Sequence, residues 1–294
     1  METYQRQSRC ADLDRGRRSR PPTLAERAAA PAYHRGVEPA ERFSDRVADY
    51  VRYRPDYPSA AFEAIEQLVT ERERELGQRL PRTAADVGAG TGIFTHGLLA
   101  RDWAVHAIEP NARMRAAAEA WHGDDDAFTS HAAVAEATGL PDCSVALVVA
   151  AQAFHWFDSQ RCREEWRRIL VPGGLVCLVW NVRRLGLPFM DAYDQLLTEL
   201  LPDYSGVVHR HADPGLLRQF YGDRFTTQTF PHRQILDWPS LLGRLASSSY
   251  APLPGQPAYE LVMTRLRVLF DQHQVDGSVA FPYSTMVCIG TLSS

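Results

Sequence analysis

One eight-residue loop constrains this chain more than any other feature. Ala85-Asp86-Val87-Gly88-Ala89-Gly90-Thr91-Gly92 ends a short apolar segment, Thr83 to Val87, and opens a helical pattern from Gly92 to Ala100. Three glycines in five positions let the backbone turn sharply and let a ligand approach where a Cβ would block it. A strand, a glycine loop and a helix make the first half of a βαβ crossover, which is right-handed in a parallel sheet. The loop therefore predicts an open α/β sheet with a ligand crevice at the carboxyl end of its first strand.

The rest of the chain keeps the same rhythm. Phe62, Ile65, Leu68, Val69 and Leu76 recur at helical spacing across Ala60 to Leu76. Strands are expected over Trp103 to Ile108, His131 to Val134, Val145 to Ala151 and Leu175 to Trp180. Val145 to Ala151 is almost wholly apolar, as a strand covered on both faces must be. Helices are expected over Asn111 to Trp121, with Asn111 as N-cap, and Asp158 to Leu170, stopped by Pro172-Gly173-Gly174. Beyond Asn181 the pattern loosens. It predicts helices over Phe189 to Leu201, Pro239 to Ser247 and Tyr259 to His273, and strands over Phe225 to Phe230 and Val279 to Ile289. With 294 residues, 45% of them apolar, the chain can bury one large core.

Charge and cysteine content exclude several functions. The formal net charge is -4, which argues against a nucleic-acid partner. All 32 basic residues are Arg, so no catalytic lysine exists. The five cysteines form no C-x-x-C pair, which argues against a disulfide framework or a structural zinc, and His209-Arg210-His211 lacks supporting ligands. No metal is expected. The longest apolar stretch, Val145 to Phe154, is too short to span a bilayer and contains Gln152. With no apolar signal core at the start, a cytoplasmic location is expected. Residues 1–40 carry eight Arg against five Asp or Glu, and four prolines. They read as a disordered leader rather than a basic docking arm.

Two ligands compete for the glycine loop. A dinucleotide needs G-x-G-x-x-G and sets its pyrophosphate on the helix N-terminus. Here the spacing is G-x-G-x-G, Ile93 takes the sixth position, and Asp86 would repel a pyrophosphate. A carboxylate there suits the ammonium and sulfonium of S-adenosylmethionine. Glu109 ends the second strand, where a carboxylate accepts hydrogen bonds from both ribose hydroxyls.

These residues resemble the class I S-adenosylmethionine-dependent methyltransferases of the type 11 group, and within it the trans-aconitate methyltransferase-like branch. The resemblance runs from about Glu41 to about Ile289. It rests on Tyr50 with Arg54-Pro55-Asp56-Tyr57-Pro58, the glycine loop, Phe154-His155-Trp156-Phe157-Asp158 and Leu170-Val171-Pro172-Gly173-Gly174. It implies a Rossmann-like α/β fold: a seven-stranded, mostly parallel sheet with an antiparallel last strand and a small helical cap. It implies that Asp86, Gly88, Ala89, Gly90 and Gly92 hold the methionyl part of the cofactor, that Glu109 holds the ribose, and that Ala135 and Glu136 line the adenine. Gln152 and Ala153 would face the methionine. Relatives often carry a carboxylate where Val134 stands and Asp where Ala146 stands.

Other groups keep two readings. His155, at the end of the fourth strand, is either a general base or a ring packed on Trp156. Tyr50 and Arg54 either reach the cofactor carboxylate or tie their segment to the sheet. Ser247-Ser248-Ser249-Tyr250 either line a pocket or cap a helix. The methyltransferase domain is expected over 41–294, with substrate-cap insertions at about 182–222 and 238–259. The arginines there, Arg183 and Arg184 among them, read as solvated surface before substrate ligands. The expected activity is methyl transfer to a small organic molecule, with no membrane partner. A nicotinamide oxidoreductase and a non-catalytic cofactor-binding module are the rivals.

Overall fold

Period-two alternation along the central strands builds two cores, one on each face of a single sheet. In β1 (Thr83–Val87), Ala85 and Val87 face one layer and Ala84 the other. In β4 (Val145–Ala151), Val148 and Ala150 oppose Leu147 and Val149. In β5 (Leu170–Arg183), Val176, Leu178 and Trp180 oppose Cys177 and Val179. Every one of these side chains is buried, as two covered faces require. The computed structural model describes residues 46–201, 204 and 214–292. The leader expected over 1–40 and the His209-Arg210-His211 triplet lie outside these residues.

The described chain begins with α1 (Val47–Tyr53) and α2 (Ser59–Leu76). It continues through β1, α3 (Ile93–Leu99), β2 (Ala104–Ile108), α4 (Ala112–His122) and β3 (Phe128–His131). After β4 come a 3-10 turn at Phe154–Trp156, α5 (Ser159–Ile169), β5, α6 (Pro188–Leu200) and α7 (Pro214–Tyr221). The last elements are β6 (Phe225–Asp237), α8 (Trp238–Ala246), α9 (Tyr259–His273) and β7 (Ser278–Gly290). The strand order is β3-β2-β1-β4-β5-β7-β6. Pairs from β3 to β5 are parallel, and β7 runs antiparallel to both β5 and β6. This is the seven-stranded, mostly parallel α/β sheet the sequence predicts. The connections leave β1 in opposite directions between β2 and β4, so the ligand crevice falls at the carboxyl ends of β1 and β4.

Local chemistry sets the ends that matter. Asn111 caps α4, its side chain accepting from the Arg113 and Met114 amides at 3.0 Å. Asp158 caps α5, accepting from Gln160 and Arg161. One strand is displaced from its expected place: β3 spans Phe128–His131 rather than His131 to Val134, and Val134 makes only an isolated bridge to Ala137. Pro172-Gly173-Gly174 does not separate α5 from β5. The strand starts at Leu170 and passes the glycines through a register shift against β4.

A third core forms above the carboxyl ends of the strands. Phe189, Tyr193 and Leu197 of α6 pack with Leu241 and Leu245 of α8, Leu266 and Phe270 of α9, and Phe281 and Tyr283 of β7. Helix α9, beyond the insertions expected at 182–222 and 238–259, belongs to this cap. Helix α7, inside the first, packs on the sheet instead, where the Tyr221 hydroxyl donates to the Cys288 carbonyl at 3.0 Å.

Residues two hundred positions apart join the cap to the start of the described chain. Arg46 donates to the carbonyls of Ala246, Ser248 and Ala251 at 2.7, 2.9 and 2.6 Å. Gly243 of α8 lets Tyr53 approach so closely that a Cβ there would lie 2.0 Å from the ring. Gly243→Ala should therefore loosen α1 from α8, lowering stability by about 1–3 kcal/mol in urea unfolding, the usual range for an overpacked contact.

Candidate functional site

A cavity opens at the crevice. Its floor is Asp86, Gly88 and Ala89 from the β1 loop, with Ala151 and Gln152 from the end of β4 and Asn181 to Arg183 from β5. Tyr50, Arg54 and Tyr57 wall it from the start of the chain, His155 and Trp156 from the 3-10 turn, and Arg244, Ser248, Ser249 and Tyr250 from the cap.

Asp86 is 0% exposed. The Thr95 hydroxyl donates to its Oδ2 at 2.7 Å, while Oδ1 is buried with no hydrogen-bond partner among the described residues. Burial, with the Glu109 carboxylate nearby, pushes the Asp86 carboxyl up to about 7. An orphaned acceptor at a cavity floor fits an ammonium group, and so fits the amino acid end of S-adenosylmethionine. Beside it Gly88 has φ of +71°. A Cβ there would meet the Ala153 Cβ at 2.6 Å and the Phe157 ring at 2.9 Å, so the position accepts glycine alone.

Glu109 sits one strand away, 8% exposed. Its Oε2 accepts from the Gly90 amide at 2.9 Å and its Oε1 from the Asn111 amide at 2.8 Å. Burial raises its pKa against the pull of those two amides. The carboxylate therefore braces the glycine loop and keeps lone pairs for further donors. Gly92 ends the loop, its carbonyl accepting from His122 Nε2 at 3.0 Å.

The remaining expected residues fall in two groups. Gln152 has φ of 57°, uncommon for a side chain of its size, and its backbone N–H donates to the Val179 carbonyl at 2.8 Å. It lines the cavity with Tyr50, Arg54 and His155. The Arg54 guanidinium lies 4.7 Å from the Tyr50 ring centre and donates to the Ser247 carbonyl at 2.7 Å, while its buried Nε has no partner among the described residues. Ala135 and Glu136 do not line the cavity. The Ala135 carbonyl accepts from Trp166 Nε1 at 3.0 Å, and Glu136 Oε1 accepts from the Asp158 amide at 2.9 Å. Both thereby hold the chain that leaves the 3-10 turn and enters α5. Ser248, Ser249 and Tyr250 line the cavity, while the Ser247 hydroxyl donates to the Arg244 carbonyl at 2.8 Å.

Comparison with known proteins gives the family. The methyltransferase domain model matches residues 85–178, the span from β1 into β5. An uncharacterised methyltransferase of Mycobacterium tuberculosis is 30% identical over 262 residues, covering 85% of this chain and 96% of its own. The chain belongs to the S-adenosylmethionine-dependent methyltransferases. A methyltransferase-like protein of Schizosaccharomyces pombe is 33% identical over 169 residues, 56% of this chain and 61% of its own. A solved structure from Anaeromyxobacter dehalogenans, assigned to the type II methyltransferases, superposes with a TM-score of 0.57 at 23% identity. It covers 82% of this chain and 100% of its own, a likeness of fold.

This methyltransferase is therefore an enzyme with S-adenosylmethionine as its cofactor, and the nicotinamide reading is set aside. Among the described residues no cluster of three or more His, Cys, Asp or Glu side chains stands ready for a metal ion. None of their helices is long and apolar enough to cross a membrane. Sequence reasoning missed Arg244, Thr95 and Asn181. A signal for Arg244 existed: it shares one face of α8 with Leu241 and Leu245, so the apolar stripe carries a charge. Thr95 lies in the first turn of α3, with nothing in its own pattern to mark it.

Proposed function

We propose that this methyltransferase acts on a small organic molecule held in the cavity above β1, β4 and β5. The observation that carries the reading is the enclosure of that cavity. Tyr50, Arg54 and Tyr57 wall one side, and Arg244, Ser248, Ser249 and Tyr250 wall the other, over a floor that carries Asp86, Gly88 and Ala89. A lined pocket with a few convergent polar groups is the usual form of a small-molecule site. The Tyr50 and Arg54–Pro58 motif supports affiliation with the trans-aconitate methyltransferase-like branch.

Bound there, S-adenosylmethionine supplies an electrophilic methyl group. On this reading Asp86 takes the ammonium, the backbone of Gly88, Ala89, Gly90 and Gly92 admits the methionyl part, and Glu109 takes the ribose. Tyr50 and Arg54 face the cofactor carboxylate, Gln152 and Ala153 flank the methionine, and Ala135 and Glu136 border the adenine. His155 stands in the cavity wall with its ring 4.7 Å from that of Trp156, where it accepts a proton from the acceptor.

Methyl transfer from labelled cofactor, screened against organic acids, phenols, amines, tRNA and DNA, tests the reading. Specific labelling of a small molecule is expected, and preferential labelling of a nucleic acid sinks it. Glu109→Ala should weaken S-adenosylhomocysteine binding by about 1.5–3 kcal/mol in calorimetry, as loss of hydrogen bonds to a charged group does. His155→Gln should slow turnover by about 10²–10⁴ with cofactor affinity little changed. A variant with full turnover makes His155 a packing residue.

A further inference from the structure

The two rims of the sheet differ in length. β3 offers 4 residues at one rim, and β6 offers 13 at the other. β6 pairs with β7 along its whole length, from Phe225 opposite Gly290 to Asp237 opposite Ser278. Just beyond that ladder the Thr291 N–H donates to the Arg224 carbonyl at 3.1 Å. Bonds across an antiparallel pair fall on every second residue. The even-numbered residues of β6 therefore turn their backbone groups to β7, and the odd-numbered ones turn theirs outward. Pro231 agrees with this phase, because a residue without an N–H fits the open side of an edge strand.

The side chains divide in the same way. Leu236 is buried in the third core, Gln234 donates to the Tyr53 carbonyl at 3.1 Å, and His232 lies 3.0 Å from Asp56. Thr229, Pro231, Arg233, Ile235 and Asp237 stand exposed on the opposite face, Ile235 at 59%. A proline and a charge are the usual guards of such an edge. Pro231 divides the outward row into Phe225 to Thr229 and Arg233 to Asp237. The first stretch carries no charge. The second carries Arg233 and Asp237, of opposite sign, placed symmetrically about Ile235. A twofold axis through Ile235 sets Arg233 of each copy opposite Asp237 of the other, and Ile235 opposite itself. Charges that guard the edge against other strands thus attract a second copy.

We propose that two copies of this chain pair through β6, antiparallel and in register about Ile235, joining their sheets edge to edge. Ile235 exchanges both backbone bonds with Ile235 of the other copy. Asp237 is the N-cap of α8, so its carbonyl serves that helix and only its N–H meets the Arg233 carbonyl of the other copy. One Asp237 side-chain oxygen accepts the Ser240 N–H at 2.9 Å, and the other can take the guanidinium of the facing Arg233. Arg52 is the neighbouring cation on the same chain. A contact of this size belongs with weak, reversible dimers.

Sedimentation equilibrium of the full chain tests this. A monomer–dimer equilibrium with a dissociation constant between about 1 and 100 μM is expected. Ile235→Pro removes an outward N–H and no bond to β7, and Arg233→Glu sets like charges opposite each other. Each should weaken the dimer at least about tenfold, with the urea midpoint and S-adenosylhomocysteine affinity close to wild type. Arg233→Glu carries the test alone if the proline variant does not fold. Mild oxidation reads the register. Ile235→Cys should give a disulfide-linked dimer that wild type and Thr229→Cys do not, because facing Cα atoms about 5.5 Å apart lie within disulfide reach. A chain that stays monomeric at about 200 μM overturns the proposal. So does a dimer that Arg233→Glu leaves intact, an assembly larger than two, or an Ile235→Cys chain that links no more readily than Thr229→Cys.

Discussion

Replacing Asp86 by Asn is expected to weaken S-adenosylhomocysteine binding by about 2–5 kcal/mol, roughly 30-fold or more, the range for removing one partner of a buried charge pair. The same change should flatten the pH dependence of apo stability. The Asp86 carboxyl titrates at about 7 in the folded chain against an ordinary 3.8. Below about pH 4 it is protonated in both folded and unfolded states and contributes nothing. Between pH 4 and 7 the unfolded chain ionises while the folded one keeps its proton, so stability falls as pH rises. Above 7 the loss is complete, on the order of 4 kcal/mol. Wild-type apo protein should therefore lose melting temperature between pH 5 and 7 in a way the Asn variant does not. An ammonium at Oδ1 reverses the balance by favouring the ionised carboxylate. Cofactor binding at pH 6 should then release a proton, detected by calorimetry in buffers of different ionisation enthalpy. Binding without proton release, or with equal affinity in the variant, would remove Asp86 from the amino acid end of the cofactor.

Trp166→Ala is expected to cost about 3–5 kcal/mol of folding stability, the usual loss for a fully buried tryptophan. Trp166 is 0% exposed on α5, with ring centres 5.9 Å from Phe154, 6.3 Å from Phe157 and 5.7 Å from Phe220. Its removal also strands the Ala135 carbonyl, which accepts from Nε1. The damage should reach the site, because Phe157 packs where Gly88 leaves room and Phe154 opens the turn that holds His155. Trp166→Phe keeps most of the packing and loses the hydrogen bond, so it should fall between wild type and Ala. Urea unfolding checks the order of the three proteins, and calorimetry checks the accompanying drop in cofactor affinity. A Trp166→Ala protein within about 1 kcal/mol of wild type would mean that the surrounding rings close the cavity.

The cofactor half of the molecule was legible because its chemistry is local. Asp86, the glycines and Glu109 lie within 24 residues of one another, each at a strand end that apolar periodicity marks. The displacement of β3 has a physical reason. Ala132 to Ala135 is a run of small apolar residues with little contrast between faces, so pattern could not separate strand from loop. Pro172-Gly173-Gly174 carries a turn signal, yet strand pairing continues through it by a shift of register. Helix α1 was invisible because it buries no residue of its own. Bonds from Arg46 and Arg54 to carbonyls 193 to 205 positions away hold that segment. The acceptor side depends on the same kind of distant pairing. Arg183 read as surface until the tyrosines of α6 and the cap closed over it.

The position of β7 bears on how the chain is made. The last strand enters the sheet between β5 and β6 rather than at its rim. Until residues 278–290 leave the ribosome, β5 has no partner on one side, and its buried Cys177 to Trp180 row ends in an open ladder. An unpaired apolar edge of that kind is a template for association with other chains. A growing chain is thus exposed to association along the β5 edge until β7 has been made. A protease cut just before Ser278 would take out an interior strand, splitting β6 from the sheet rather than trimming a tail.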